Sequence, residues 1–314
     1  MTSTDTPRTD PTDSTPAGPG AAPAGPGRAP AGGRGGTRRR WGSLLWHLGA
    51  LAILAVLLYP VAWLVAASFK PSQSVLAGLQ LLPTEPTVAN YRRAGEGLAG
   101  IGVLRFFANS ALLAVLSVAG TVASSALAGY AFARLRFRGR TTMFVLMIST
   151  LLLPFHVLII PQYAVFQRLG LVDTYLPLLV GKFLAGEAFF VFLMVQFMRT
   201  IPAELDESAR LDGAGHWATF WHIVLPLSRP ALVSTAIFTF IWTWNDFFGP
   251  LIYLSTPEKY PLPLALQLYI DQTTVSDYGA LMAMSMLALV PVILFFLFFQ
   301  RFLVQGMATS GLKG

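Results

Sequence analysis

The chain has 314 residues, of which 54% are apolar and 12% charged, with a formal net charge of +7 and a mean hydropathy of +0.59. Soluble domains carry about 25% charged residues. Half of that leaves too little charge to coat a water-facing surface, and apolar content this high excludes disorder for most of the chain. No cysteine is present, which excludes a disulfide framework, a thiolate zinc site and a thiol nucleophile.

Residues 1–43 hold 7 of the 22 prolines and 9 of the 28 glycines, with almost no large apolar residue before Trp41. Such a segment cannot bury enough surface to offset its ordering entropy. It reads as a disordered tail ending in Arg38-Arg39-Arg40. The tail is an inert leader or, through the Arg run, a hold on anionic lipid. It is too long and polar for the n-region of a cleavable signal. The apolar run that follows, Leu44 to Phe69, reads as an uncleaved anchor helix.

Six segments are long and apolar enough to span a bilayer, which takes about 20 residues. They are approximately 44–69, 106–133, 142–167, 176–198, 231–254 and 278–302. Pro60, Pro154, Pro161, Pro177, Pro250 and Pro291 sit in or near them, and such prolines are tolerated where neighbours re-satisfy the freed carbonyls. Ser117, Gly120, Ser124, Ser125, Ala128 and Gly129 give the second span a small-residue face suited to close helix approach.

Basic residues then set orientation. The tail, the short loop Arg134–Arg140, the loop with Arg199, Arg210 and Arg229, and the C-terminal end together carry 15 of the 22 Lys and Arg. That asymmetry places both termini in the cytoplasm. It also accounts for the basic balance without nucleic acid. The expected organisation is a tail (1–43), the first span with an extracytoplasmic loop (44–105), a core of five spans (106–303) and a cytoplasmic tail (304–314).

Enzyme chemistry finds no support. Gly181-Lys182 is followed by Phe183 and no glycine stands at 176, so there is no Walker A loop. Metal-ligand spacing and a Gly-x-Ser-x-Gly elbow are both missing. His47, His156, His216 and His222 are scattered, and His156 reads as a helix-packing residue. No catalytic residue, metal or cofactor is expected.

The loop between the fourth and fifth spans, residues 201–230, is the informative stretch. Pro202 suits a first helical turn, where Glu204, Asp206 and Glu207 complement the dipole. Gly213 allows a C-terminal cap and a change of direction. A second short helix is expected to carry Trp217, Phe220, Trp221, Ile223 and Val224 until Pro226 stops it. Exposed aromatics on two angled helices form a knob that wants a partner.

Glu207-Ser208-Ala209, three residues, Gly213, nine residues, then Ile223-Val-Leu225-Pro226 resembles the "EAA" loop of ABC importer permeases, with Ser208 in place of the first Ala. Tyr130 to Arg140, Leu153-Pro154, Ile160-Pro161-Gln-Tyr163, Trp244-Asn-Asp-Phe247 and the ending Gly306 to Gly314 resemble the carbohydrate-importer branch, in particular its smaller six-span permease, over residues 44–314. The resemblance implies an all-α membrane protein with the type I importer permease fold. Glu207, Ser208, Ala209, Gly213, Phe220, Ile223, Leu225 and Pro226 would then couple to the ATPase. It implies as partners a second permease in a heterodimer, cytoplasmic ABC ATPase subunits and an extracytoplasmic sugar-binding protein, all on a lipid bilayer. Loops 70–105 and 255–277, with Tyr91, Tyr260 and Tyr269, would face the binding protein. Lys182, Glu187, Trp244, Asn245 and Asp246 are polar groups within spans, which should face protein or water, and they form a candidate translocation cavity. The same scaffold could carry glycerol phosphate, amino acids or peptides. A self-sufficient secondary transporter would need an internal repeat, and none is visible.

Overall fold

The computed structural model describes residues 36–76, 80–81, 83–98, 100–271 and 277–311. The tail expected over 1–43 lies outside these residues up to position 35. Contacts divide the chain into a unit ending at Val56 and a second unit, Leu57–Gly314. Helices dominate, and among the described residues the only β pairing is an isolated bridge between Leu98 and Ile101.

Helix α1 (Gly36–Ser68) begins eight residues before the expected span. Arg is a good helix former, and extending an existing helix is far easier than nucleating one. The second span is α3 (Val103–Arg134), 32 residues without a proline; α2 (Ala89–Glu96) precedes it. The third span is two helices. Arg140–Ser149 (α4) continues through a 3₁₀ turn at Thr150–Leu152, and Phe155–Arg168 (α5) leaves at 106°. Pro154 explains the break: it lacks an N–H and forces Leu153 into extended backbone.

The fourth span is also interrupted, into α6 (Leu176–Phe183) and α7 (Ala188–Thr200). Ala185 between them has φ +55°, and the amide of Gly186 reaches back to the Gly181 carbonyl at 2.8 Å. After α8 (Glu204–Leu211) and α9 (His216–Leu227), the fifth span α10 (Arg229–Trp244) meets α9 at 73°. It stops at Trp244, ten residues short of the expected end, and a separate α11 (Phe248–Tyr253) follows. Helix α12 (Leu262–Asp271) precedes α13 (Tyr278–Gly311), which runs through residues 304–311, expected to be a tail. Among the described residues, four helical segments are long and apolar enough to cross a membrane, or up to six if each bent pair is one span.

α3 is the centre of the second unit and packs against α10, α7 and α6. Its glycines explain how. A Cβ on Gly129 would stand 2.5 Å from the Met194 Cβ of α7, and one on Gly120 would stand 2.8 Å from the Phe183 ring of α6. The small-residue face seen in the sequence is thus the contact face.

Two apolar clusters flank α3. One joins Tyr130, Met194, Met198, Ile201, Phe220 and Val224, near the 201–230 loop. The other joins Phe106, Trp244, Leu262, Tyr269 and Met284, toward the opposite end. There the backbone of Glu258 accepts bonds from Arg105 Nε at 3.2 Å and Asn109 Nδ2 at 2.8 Å. Asp173, itself at φ +60°, accepts from the Ser255 and Thr256 amides, from Thr256 Oγ1 and from Lys259 Nζ at 2.7 Å. The bonds from Lys259 and Thr256 hold its carboxyl well below the usual carboxylate range. Of the tyrosines expected on a docking face, Tyr269 is buried and Tyr91 and Tyr260 are half-buried. Tyr269 is 3% exposed, and the hydroxyls of Tyr91 and Tyr260 bond within the chain, to Ser68 and to Ser255.

Candidate functional site: the 201–230 loop and a membrane cavity

The loop is two helices joined at Gly213. Helix α8 ends in a Schellman arrangement: the Ala214 amide bonds the Ala209 carbonyl at 2.8 Å, and the Gly213 amide bonds Arg210 at 3.0 Å. That pattern needs a left-handed residue at the first position past the helix, and Gly213 has φ +81°. Nothing lies within 4 Å of where its Cβ would be. The glycine is therefore required by backbone conformation and not by crowding.

Helix α9 does not stop at Pro226. Phe220–Val224 is a π turn, in which the Leu225 amide bonds the Phe220 carbonyl five residues back. This wider turn takes the chain through Pro226, which has no N–H to give, and the helix continues to Leu227. Trp217 is 63% exposed and Trp221 48%, stacked edge to face at 5.7 Å. Phe220 corrects the sequence reading: it is 2% exposed and packs on Tyr130 with ring centroids 5.1 Å apart. It anchors the loop to the membrane body, where partner-facing exposure was expected. Ala209 is buried as well, while Ile223, Leu225 and Pro226 are half-buried. Glu207 and Ser208 are exposed on α8.

Three residues that sequence reasoning did not bring together hold this loop in place. Arg134, at the end of α3, pairs through Nη1 with Asp206 of α8 at 3.3 Å, and both side chains are about nine-tenths buried. Its Nη2 donates to the carbonyls of Met198 at 2.9 Å and Ile201 at 2.6 Å. Tyr130, one turn earlier, donates its hydroxyl to the His216 carbonyl at 3.0 Å. Beside them lies an open, polar cavity of about 540 Å³, lined among others by Arg136, Arg140, Glu207, Arg210 and His216.

Within the membrane segments, Lys182 Nζ pairs with Glu187 Oε1 at 2.5 Å across the break between α6 and α7. Lys182 also lines a cavity of about 310 Å³ with Ser117, Trp242, Thr243 and Asp246. Asp246 accepts the Gly249 amide at 3.1 Å, which starts α11. Glu187 reaches the cavity only through Lys182, and Trp244 and Asn245 are not part of it. Trp244 is 5% exposed, stacks on Phe240 and donates to the Ala288 carbonyl at 3.2 Å. Asn245 bonds the Ile241 carbonyl at 2.8 Å and finishes α10. The helical period explains the exchange: Trp242 and Thr243 stand on the cavity side of α10, and Trp244 is turned about 100° or more away. His156 packs against the Phe248 ring at 4.9 Å. Among the described residues no group of His, Asp or Glu could hold a metal ion.

Residues 105–309, which include this loop and the cavity, match the family described as "Binding-protein-dependent transport system inner membrane component". The chain belongs to that family of membrane transport components. The arabinooligosaccharides transport system permease protein AraQ of Halalkalibacterium halodurans is 32% identical, over 87% of this chain and 97% of its own length. The galactooligosaccharides transport system permease protein GanQ of Bacillus subtilis is 31% identical, over 88% and 98%. A solved bacterial ABC transporter involved in the import of the acidic polysaccharide alginate contains a chain 25% identical to this one. It superposes with a TM-score of 0.73 over 87% of this chain and 99% of the other. Like its relatives in this family, the chain is a multi-pass membrane transport component with several apolar helices.

Proposed function

We propose that this chain is a permease subunit of an ATP-driven importer and translocates a carbohydrate, a sugar or oligosaccharide, across the cytoplasmic membrane. Residues 201–230 couple it to separate ABC ATPase subunits. The observation that carries this reading is the loop itself: an acidic helix closed at Gly213, a turn, and a second helix presenting Trp217 and Trp221. Kinship to permeases named for oligosaccharides supports the solute class. A second permease completes a heterodimer, and an extracytoplasmic sugar-binding protein delivers the solute. Both termini are cytoplasmic, residues 44–105 form the first span and an outer loop, and 106–303 form the core. Exposed Glu207 and Ser208 meet the ATPase, with Ala209, Gly213, Ile223, Leu225 and Pro226 shaping the surface. Lys182, Glu187 and Asp246 contribute to the translocation cavity.

The test is reconstitution in liposomes of this chain with its second permease, ATPase and binding protein, using labelled arabinose, galactose and maltose trisaccharides as probes. ATP-dependent accumulation of at least one trisaccharide is expected, with none for the chain alone. Gradient-driven uptake by the chain alone, or transport of amino acids with no saccharide transport, would overturn the reading.

A further inference from the structure

The last turn of α3 grips the chain on both sides of the acidic helix of the loop. Arg134 reaches back to the last carbonyls of α7 and forward to Asp206 on α8. Tyr130 takes hold of the first carbonyl of α9 and packs on Phe220 of the same helix. Four polar contacts, three of them charge-assisted, and one ring contact thus bind three elements to one turn of α3. The guanidinium is about nine-tenths buried where it borders the open cavity, and burial strengthens these charge-assisted bonds. A planar guanidinium with five donors can serve two carbonyls and a carboxylate at once, which a lysine ammonium on a flexible stem cannot do with the same geometry.

We propose that Arg134 and Asp206 are positioning residues for transport. They clamp the loop to α3 so that the two move as one body, and a displacement of the loop by an ATPase becomes a displacement of α3 and of α6, α7 and α10 packed on it. The inference rests on the coupling-loop reading given above. It differs from a merely structural role, because a clamp that only aided folding would leave energy coupling intact in the molecules that do fold. The exposed surface of α8 and α9 does not include either side chain.

The experiment uses the assembled importer in liposomes. In Arg134→Lys and Asp206→Asn the complex is expected to keep its ATPase and to hydrolyse ATP within about twofold of wild type. The ATP consumed per saccharide moved should rise at least fivefold. The charge exchange Arg134→Asp with Asp206→Arg should recover part of that loss. The native chain has no cysteine, so spin labels at Ala133 and Ala203, which line the adjoining cavity, report the motion directly. Their separation in the otherwise unmodified importer should be the same with and without ATP, and should broaden in Arg134→Lys. A separation that changes on ATP binding, or lower thermal stability with an unchanged ATP-to-saccharide ratio, would overturn the clamp. The coupling-loop reading fails separately, if Glu207→Ala and Gly213→Val both keep full ATPase retention and uptake, and the label separation still tests the clamp in that case.

Discussion

Two glycines of the second unit illustrate opposite reasons for the same residue. Gly213 has open space around its missing Cβ and a φ of +81°. Gly213→Val therefore costs backbone strain alone, about 1–2 kcal/mol, and misdirects α9. The permease should still reach the membrane and pair with its partner, while uptake falls at least tenfold and the ATPase is lost during purification. Gly129 has an ordinary helical backbone but a Met194 Cβ 2.5 Å from the position of its own absent Cβ. Gly129→Leu forces α3 and α7 apart, and overpacking of this kind costs about 1–3 kcal/mol. Here the expected outcome is loss of the monodisperse peak on size exclusion, before any assay of transport.

Asp173 gives a residue-scale prediction in pH. Its folded carboxyl lies below the usual range, chiefly through the bonds from Lys259 and Thr256. A depressed carboxylate contributes stability that is fully present above its unfolded value of about 3.9 and is lost as pH falls below it. The thermal midpoint of Asp173→Asn should therefore lie below wild type by a constant amount from pH 7 to pH 5, and the gap should narrow below about pH 4. A constant gap down to pH 3 would contradict this account.

At the scale of elements, breaks matter as much as spans. The π turn Phe220–Val224 adds one residue to α9. Inserting an alanine after exposed His222 adds a residue beyond the one this wide turn absorbs and should rotate Trp217 and Trp221 by about 100° relative to α10. Uptake should then be abolished with the membrane segments untouched, as read by protease protection. The break between α6 and α7 is bridged by Lys182 and Glu187. Removing one partner leaves an unpaired charge inside the bilayer, worth about 2.5–3.5 kcal/mol on insertion scales. Lys182→Met and Glu187→Leu should each reduce the yield of folded permease, and the double variant should exceed either single one.

The elements were legible to different degrees, for physical reasons. Long apolar runs reveal where spans lie, because lipid imposes length and composition. They do not reveal interruptions, since a residue such as Ala185 is apolar whether its φ is negative or positive. Proline alone does not reveal them either: Pro154 breaks the third span, whereas Pro60, Pro161 and Pro291 lie inside continuous helices. Within the loop, Gly213 was readable from spacing. The inward turn of Phe220 was not: Trp217 with Trp221 and Phe220 with Val224 are two equivalent pairs four residues apart, and composition cannot rank them. Arg134 and Asp206 lie 72 positions apart, and one sequence carries no sign that they meet. The chemistry of Trp244 and Asn245 suits a cavity, but helical phase assigns that side to Trp242 and Thr243.

For the whole molecule, orientation is the open test of the charge argument. With no native cysteine, a cysteine placed at Arg138 should resist an impermeant thiol reagent in intact cells and react in inverted vesicles. One replacing Tyr91, whose hydroxyl bonds Ser68 in the native chain, should do the reverse. Labelling of position 138 from outside would invert the topology and move the 201–230 loop away from any cytoplasmic ATPase.

Helix α3 carries one more consequence. Its 32 residues extend about 48 Å, well beyond the roughly 30 Å of hydrocarbon in a bilayer. It is held near one end by Asn109 and at the other by Tyr130, 21 residues or about 32 Å apart. The two grips therefore stand about one hydrocarbon thickness from each other, like the jaws of a caliper. A helix fixed at both faces cannot absorb a thicker or thinner membrane by bending at a proline, because it has none. It must tilt, and its tilt drags both grips. Turnover should accordingly peak in lipids of matching acyl length and fall on either side, whatever saccharide is carried.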